Sequence, residues 1–297
     1  MTITVGAAPA SWGVEPGGTK NPPWPYVMDE ARAAGYKTID LGPLGYFPTD
    51  PARLKSELAK RDLTIISGYL FEPLHDPSRK AEVLQNTRDV CRLLQGIGCR
   101  RLVAMDWLSD ARAPTAGRSA DARRLTPAEW KAMIAFIAEI ARVATEEFDM
   151  RPSLHAHAGT FIEFEDELDR AMNDLPESVI GLCVDTGHTV YAGFDPVAVI
   201  RRYGARLRHL HFKDVDPAVL KKVIAGKVGF MDAVGMRVFC PLGAGAVDFP
   251  GVRDALAAAG YDGWATIEQD VDPESNSPFT EDARRSIEFL RSAGIAS

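Results

Sequence analysis

GLCVDTGHTVYAGFDPVAVIRRYGARLRHLHFKD (181–214) carries two short β-rich apolar runs, Gly181–Asp185 and Arg208–Phe212, on either side of an amphipathic stretch. Two strands joined through a helix pair in parallel, because a right-handed crossover helix is the short way back to a parallel neighbour. The same unit recurs in both directions along the chain. Further strands are expected at Ile3–Ala7, Thr38–Leu41, Leu63–Gly68, Arg101–Ala104, Ser153–His157 and Ala265–Glu268, which makes eight. Helical patterns separate them. Val83, Leu84, Thr87, Cys91 and Leu94 recur at close to the helical period and stop at Gly96. Thr126-Pro127-Ala128-Glu129 reads as a capping box with proline in the first helical position. The helix it opens has Trp130, Met133, Ile134, Ile137, Ala141 and Ala144 on one face. Eight such units predict an α/β fold closed into a (β/α)8 TIM barrel, a parallel barrel with outer helices, rather than an open doubly wound sheet. No GxGxxG or GxxxxGK[ST] turn follows a strand, which argues against dinucleotide and nucleotide binding.

Composition sets the context. The chain has 297 residues, 46% hydrophobic and 25% charged, the balance of a globular fold. A barrel of this type takes about 250 residues or more, so residues 1–297 are expected to form one domain. A formal net charge of −7, with basic pairs only at isolated sites such as Arg123–Arg124 and Arg201–Arg202, argues against a nucleic-acid partner. Cys91, Cys99, Cys183 and Cys240 form no CxxC and no disulfide framework, and Cys91 and Cys183, inside apolar runs, read as small buried hydrophobes. The start lacks a basic segment followed by a long apolar core, and no apolar run approaches the ~18–20 residues a membrane span needs. A cytoplasmic enzyme without a membrane partner is expected, with a homo-oligomer left open.

Two segments interrupt the rhythm: a Pro/Gly-rich loop near 8–24 and a long stretch near 214–248. Both follow strands, so both belong at the C-terminal face of a barrel, where its active sites lie. Ligand-type side chains gather at the same strand ends. His155 and His157 stand at i and i+2 on the fifth strand, as do His209 and His211 on the seventh, and such pairs share a face. Asp185 ends the sixth strand, with His188 just beyond, and Glu268 ends the eighth. One such histidine would be read as packing. Four strand ends each bearing a ligand-type residue point to a mixed nitrogen/oxygen site for a divalent metal. A cation there also offsets the cost of burying the carboxylates. Around it, Lys213 could polarise a substrate oxygen, and Asp40 could meet substrate hydroxyls or cap the next helix. Glu163 could serve the site or begin a helix. Trp12 and Trp107 could wall a sugar ring or pack in the core.

The order HAHAGT (155–160), VDTGH (184–188), HLHFKD (209–214), GAGAVDF (243–249) and GWATIE (263–268), with SWG at 11–13 and GYFP at 45–48, resembles the xylose-isomerase-like TIM barrels. These form the sugar phosphate isomerase/epimerase superfamily, and the inosose dehydratases of inositol catabolism are the members the chain most resembles. The resemblance covers nearly the whole chain. It implies Mn²⁺ or Co²⁺, with Mg²⁺, Fe²⁺ or Zn²⁺ as alternatives. The metal would be held by Asp185, His211, Glu268 and His155 or His157, of which His155 is assigned here. A histidine thus stands where many relatives have Glu. That departs from the paired metal-bound glutamates with which the epimerases and isomerases shuttle a proton, and it favours a dehydratase.

The implied reaction is loss of water from a cyclic polyhydroxy ketone through a metal-stabilised enediolate, with an isomerase or epimerase of a keto-sugar as the alternative. Glu268 or His157 would take the proton, and His188 or Lys213 would assist the departing hydroxyl. Asp40, Trp12, Trp107 and Glu163 would line the substrate.

Overall fold

The computed structural model describes residues 3–275 and 277–296. The strands are β1 (Thr4–Ala7), β2 (Thr38–Ile39), β3 (Thr64–Ile65), β4 (Gly68–Glu72), β5 (Arg101–Asp106), β6 (Arg151–His155), β7 (Gly181–Asp185), β8 (Leu207–Phe212), β9 (Asp214–Val215), β10 (Phe239–Cys240) and β11 (Trp264–Ile267). Nine of them form one sheet in the order β3-β2-β1-β11-β8-β7-β6-β5-β4, and every recorded pairing within it is parallel. Its two ends, β3 and β4, are consecutive pieces of one strand interrupted at Ile66 and Ser67, so the sheet curls round into a barrel. The third strand is therefore longer than its apolar run and reaches Glu72.

Helices cover the outside: α1 (Trp24–Ala33), α2 (Pro51–Ala59), α3 (Lys80–Ile97), α4 (Pro127–Phe148), α5 (Glu165–Asp174), α6 (Thr186–Tyr191), α7 (Pro196–Tyr203), α8 (Pro217–Ala225), α9 (Phe230–Gly235), α10 (Phe249–Ala258) and α11 (Phe279–Ser292). The box that opens α4 is complete: Thr126 accepts from the Glu129 amide and the Glu129 side chain accepts from the Thr126 amide. Such a cap contributes about 1 kcal/mol. Its buried face, from Trp130 through Ile137 to Ala144, packs on the sheet as the periodicity requires.

The stretch 214–248 is not a plain loop. It folds as β9, α8, α9 and β10, with β9 and β10 antiparallel. Asp214 organises it: the buried carboxylate accepts from the amides of Val215, Gly243, Gly245 and Val247. Gly245 is required there, since a Cβ would collide with that carboxylate. A second apolar cluster, including Tyr191, Val223, Phe230, Val234 and Phe239, forms above the barrel and is separate from the main core. The first loop holds a short 3-10 turn, Pro9–Trp12, and α1 starts at Trp24. No helix among the described residues is long and apolar enough to cross a membrane.

Candidate active site

Strand register brings the ligand-type side chains to one level. Asp185 pairs with His211 across β7 and β8, Thr266 pairs with His211 across β8 and β11, and the Glu268 amide donates to Phe212 O at 3.0 Å. Because side chains alternate along a strand, Cys183 and Asp185 face inward together, as do His209 and His211. His155 closes β6. His157 lies just past that strand and is also buried.

The atoms converge on Asp185 Oδ2. It stands 3.4 Å from His155 Nε2, 3.7 Å from His211 Nδ1 and 3.6 Å from Lys213 Nζ, yet accepts no hydrogen bond. His211 Nδ1 lies 2.9 Å from Glu268 Oε2 without hydrogen-bond alignment, and both its ring nitrogens are unpartnered. Buried polar atoms left this way are costly. Ligand atoms of Asp185, His211 and Glu268 lie within 4.8 Å of one another, and His155 joins Asp185 in a second such group. Lys213 Nζ is 2.9 Å from Asp270, 3.6 Å from Asp185 and 3.8 Å from Glu268. One ammonium among three carboxylates leaves the cluster negative, so the donor set fits a divalent cation.

Burial and these neighbours displace every titration. Burial works against the Lys213 ammonium, but Asp270, Glu268 and Asp185 outweigh it and keep it charged. Burial opposes ionisation of Glu268 too, and Lys213 with His211 outweighs it, holding the carboxyl at about 2. Asp270 is pushed up to about 6 by burial against the opposing pull of Lys213. Burial also raises Asp40 to about 6, despite the Ser67 hydroxyl donating to it at 2.6 Å. His157 is driven down to about 3 by burial and by His155 beside it, so its ring is neutral. Its Nδ1 lies 2.8 Å from Ala158 O, which can only accept. Nδ1 therefore carries the hydrogen, and Nε2 is a free lone pair.

A cavity of about 310 Å³ opens above this cluster. Asp40, Trp107, His157, His211 and Glu268 line it. Lys213 and His188 do not line it but lie buried behind Asp270, with His188 Nε2 2.9 Å from Lys213 Nζ and its Nδ1 3.3 Å from the Ala158 amide. Two expected substrate contacts lie elsewhere. Glu163 is fully buried behind the wall, accepting from Arg112 at 3.2 Å and from the Gly117 amide at 2.6 Å. Trp12 packs in the core with its indole N–H on Thr280, because the Pro9–Trp12 turn points it away from the mouth.

Residues without a sequence-derived role also enter. Asp270, Tyr69 and Phe230 line the cavity. Asp270 had a signal, since the run Glu268-Gln269-Asp270 repeats a carboxylate at the i+2 position. Phe230 had none, for it reaches His157 and His188, at ring separations of 5.3 and 5.8 Å, only through the fold of α9. Outside the cavity, Asp106 at the end of β5 accepts from His75 Nδ1 at 2.7 Å and from the Phe161 amide at 3.1 Å. It ties the third loop to the turn that carries His157.

A model of the xylose isomerase-like TIM barrel family matches residues 28–293. An inosose dehydratase of Geobacillus kaustophilus is 31% identical over 284 residues, which cover 93% of this chain and 90% of that one. The rhizopine catabolism protein MocC of Rhizobium meliloti is 35% identical over 289 residues, 94% of this chain and 85% of that one. Among solved structures, the IolI protein with a bound zinc atom superposes with a TM-score of 0.72 at 13% identity, over 98% of both chains.

Proposed function

This chain belongs to the xylose isomerase-like TIM barrel family, and from that premise we propose that it is a metal-dependent hydro-lyase acting on a cyclic polyhydroxy ketone of the inosose kind. His155, Asp185, His211 and Glu268 would hold the cation, and two imidazoles with two carboxylates suit Mn²⁺, Co²⁺ or Zn²⁺. When bound, the cation would supply a Lewis acid that polarises the ketone.

The observation that carries the reading is an unlike acid and base in one site. His157 Nε2 offers a bare lone pair to the hydrogen on the carbon beside the carbonyl. Lys213, kept protonated by Asp270 at 2.9 Å, supplies the proton with which the β-hydroxyl leaves as water. His188 Nε2 lies 2.9 Å from the Lys213 ammonium on the other side. Epimerisation calls instead for two like bases that give and take one proton, and His155 stands where a paired carboxylate would be needed.

Charge supports a neutral substrate. Glu15, Asp40, Glu268 and Asp270 line the cavity, and the one cation beside it, Lys213, is already paired with Asp270, which disfavours a phosphorylated or carboxylated sugar. The free groups are chiefly acceptors, so the ligand must bring donors, as hydroxyls do.

The test is incubation of the Mn²⁺-supplied protein with keto-inositols and ketoses in D₂O. Growth of the ultraviolet absorbance of a conjugated product is expected. Deuterium uptake without that absorbance would overturn the lyase assignment in favour of an isomerase or epimerase.

A further inference from the structure

The loop between β1 and α1 is fastened at several points. Ser11 Oγ accepts from the Gln269 amide at 3.1 Å, which ties the start of the loop to the end of β11. Gly13 turns with a φ of 76° and lies so close to the segment after β11 that a Cβ would stand 2.7 Å from Pro273 Cα. Further on, Lys20 pairs with Glu274. Asn21 then clasps the backbone of Glu15: the Glu15 amide donates to Asn21 Oδ1 at 2.9 Å, and Asn21 Nδ2 donates to Glu15 O at 2.8 Å. One side chain thus holds both main-chain groups of Glu15, and only its carboxylate is left over. Glu15 is half-buried at the rim where the cavity meets an outer cleft, and its carboxylate has no hydrogen-bond donor or paired cation among the described residues. Burial and the like charge of Asp272 both work against its ionisation. A donor is what such a group lacks.

The cavity therefore offers polar groups at two levels. Asp40, His211 and Glu268 stand at the strand ends, and Glu15 stands at the rim, on a loop well past the end of β1. The Trp107 indole N–H belongs to the same lining. Phe71, Leu108 and Met231 supply carbon for the C–H faces of a ring. A ring held by its ketone at the strand ends turns its far edge outward, and hydroxyls on that edge find in Glu15 a charged acceptor. We infer that Glu15 is a specificity-determining residue that accepts from hydroxyls on the edge of the ring remote from the ketone, and that Asn21 is the positioning residue that holds it there. The substrate is then hydroxylated along both edges. This rests on the proposed function for the ring and its ketone, whereas the fastening of the loop is independent of it.

Calorimetric titration of the Mn²⁺-supplied protein with pentahydroxycyclohexanone and with 2,3-dihydroxycyclohexanone tests the inference. Both rings share the ketone edge and differ at the far edge. Glu15→Gln removes the charge and keeps the shape. It should weaken binding of the pentahydroxy ring about tenfold, which is about 1.4 kcal/mol, and leave the dihydroxy ring unchanged. Asn21→Ala should show the same selectivity to a smaller extent and should add nothing in the Glu15→Gln background, where a merely structural role would still add its own loss. An added loss there would overturn the role of Asn21. A Glu15→Gln loss shared equally by both rings, or no loss, would overturn the inference, as would a fall in affinity for Mn²⁺ alone, which would make Glu15 a metal ligand. Water loss is followed separately by ultraviolet absorbance. The expected selectivity without water loss overturns the lyase reading and leaves the role of Glu15 standing, whereas water loss with no selectivity does the reverse. Failure of both rings to bind the parent protein overturns both.

Discussion

Two charged clusters are buried at the same end of this barrel, and they are finished differently. In the first, Arg112 forks onto Glu167 at 2.7 and 3.0 Å and reaches Glu163 at 3.2 Å, while Glu163 also accepts from Gly117 and Glu167 from the amides of Glu163 and Phe164. Each carboxylate has several donors. In the second, Asp185 Oδ2 and both nitrogens of His211 have none, although oppositely charged and metal-ligating atoms stand within 4 Å. A cluster whose carboxylates are satisfied within the protein holds the fold together, even though Arg112 Nε there has no partner. One that is left open is built to receive something from outside. The satisfied cluster staples the 107–124 segment to the turn after β6, and so it fixes the wall against which the open cluster works.

The open cluster should show itself in rate rather than in stability. Glu268→Gln is expected to lower turnover by about three orders of magnitude. Its unfolding free energy without added metal should change by no more than about 1 kcal/mol, since one of three crowded carboxylates is neutralised. Urea denaturation measured beside the rate checks this. Equal losses in both would place Glu268 with the structural cluster.

The satisfied cluster should behave in the opposite way. Arg112→Met leaves two buried carboxylates without their partner and should cost about 3–5 kcal/mol in denaturant unfolding. A variant that unfolds like the parent but turns over slowly would contradict the division.

Chelation should remove activity and lower the midpoint of thermal unfolding, with Mn²⁺ or Co²⁺ restoring both, because a ligand held only by the folded state stabilises it by mass action. Unchanged activity in chelated protein would sink the metal assignment.

The smallest effect lies inside the satisfied cluster. Burial raises Glu163 to about 7 although Gly117 and Arg112 oppose it, because Glu167 takes the better half of the Arg112 fork. The unfolded chain releases this proton near the ordinary carboxylate value and the folded chain keeps it until about pH 7. Stability therefore falls as pH rises through that window. Glu163→Gln should flatten that slope, as read from unfolding free energies at several pH values between 4.5 and 7.5, and a slope that persists would place its origin elsewhere.

The strand ends were legible because two periods announce them. The alternation in His209-Leu210-His211 and the eightfold return of apolar runs depend on local backbone geometry alone, which any chain with this pattern must obey. Asp185, His211 and Glu268 were placed at strand ends in this way, and the resemblance to the xylose-isomerase-like barrels singled them out as a ligand set. Trp12 and Glu163 were misplaced as wall residues because position after a strand does not say where a side chain turns. The Pro9–Trp12 turn sends one into the core, and Arg112, some fifty residues earlier in sequence, captures the other. Phe230 and Met231 carry no local signal, since α9 reaches the mouth only by way of Asp214 and the pairing of β9 with β10.

By itself, then, the amino-acid sequence determined the barrel and the strand ends at which ligand-type residues gather, because these follow from periodicity and residue chemistry. Only the tertiary structure decided which polar atoms remain without partners, which ring nitrogen of His157 carries the hydrogen, and which side chains line the cavity. Those depend on distances between segments far apart in the chain, and no local pattern encodes such distances.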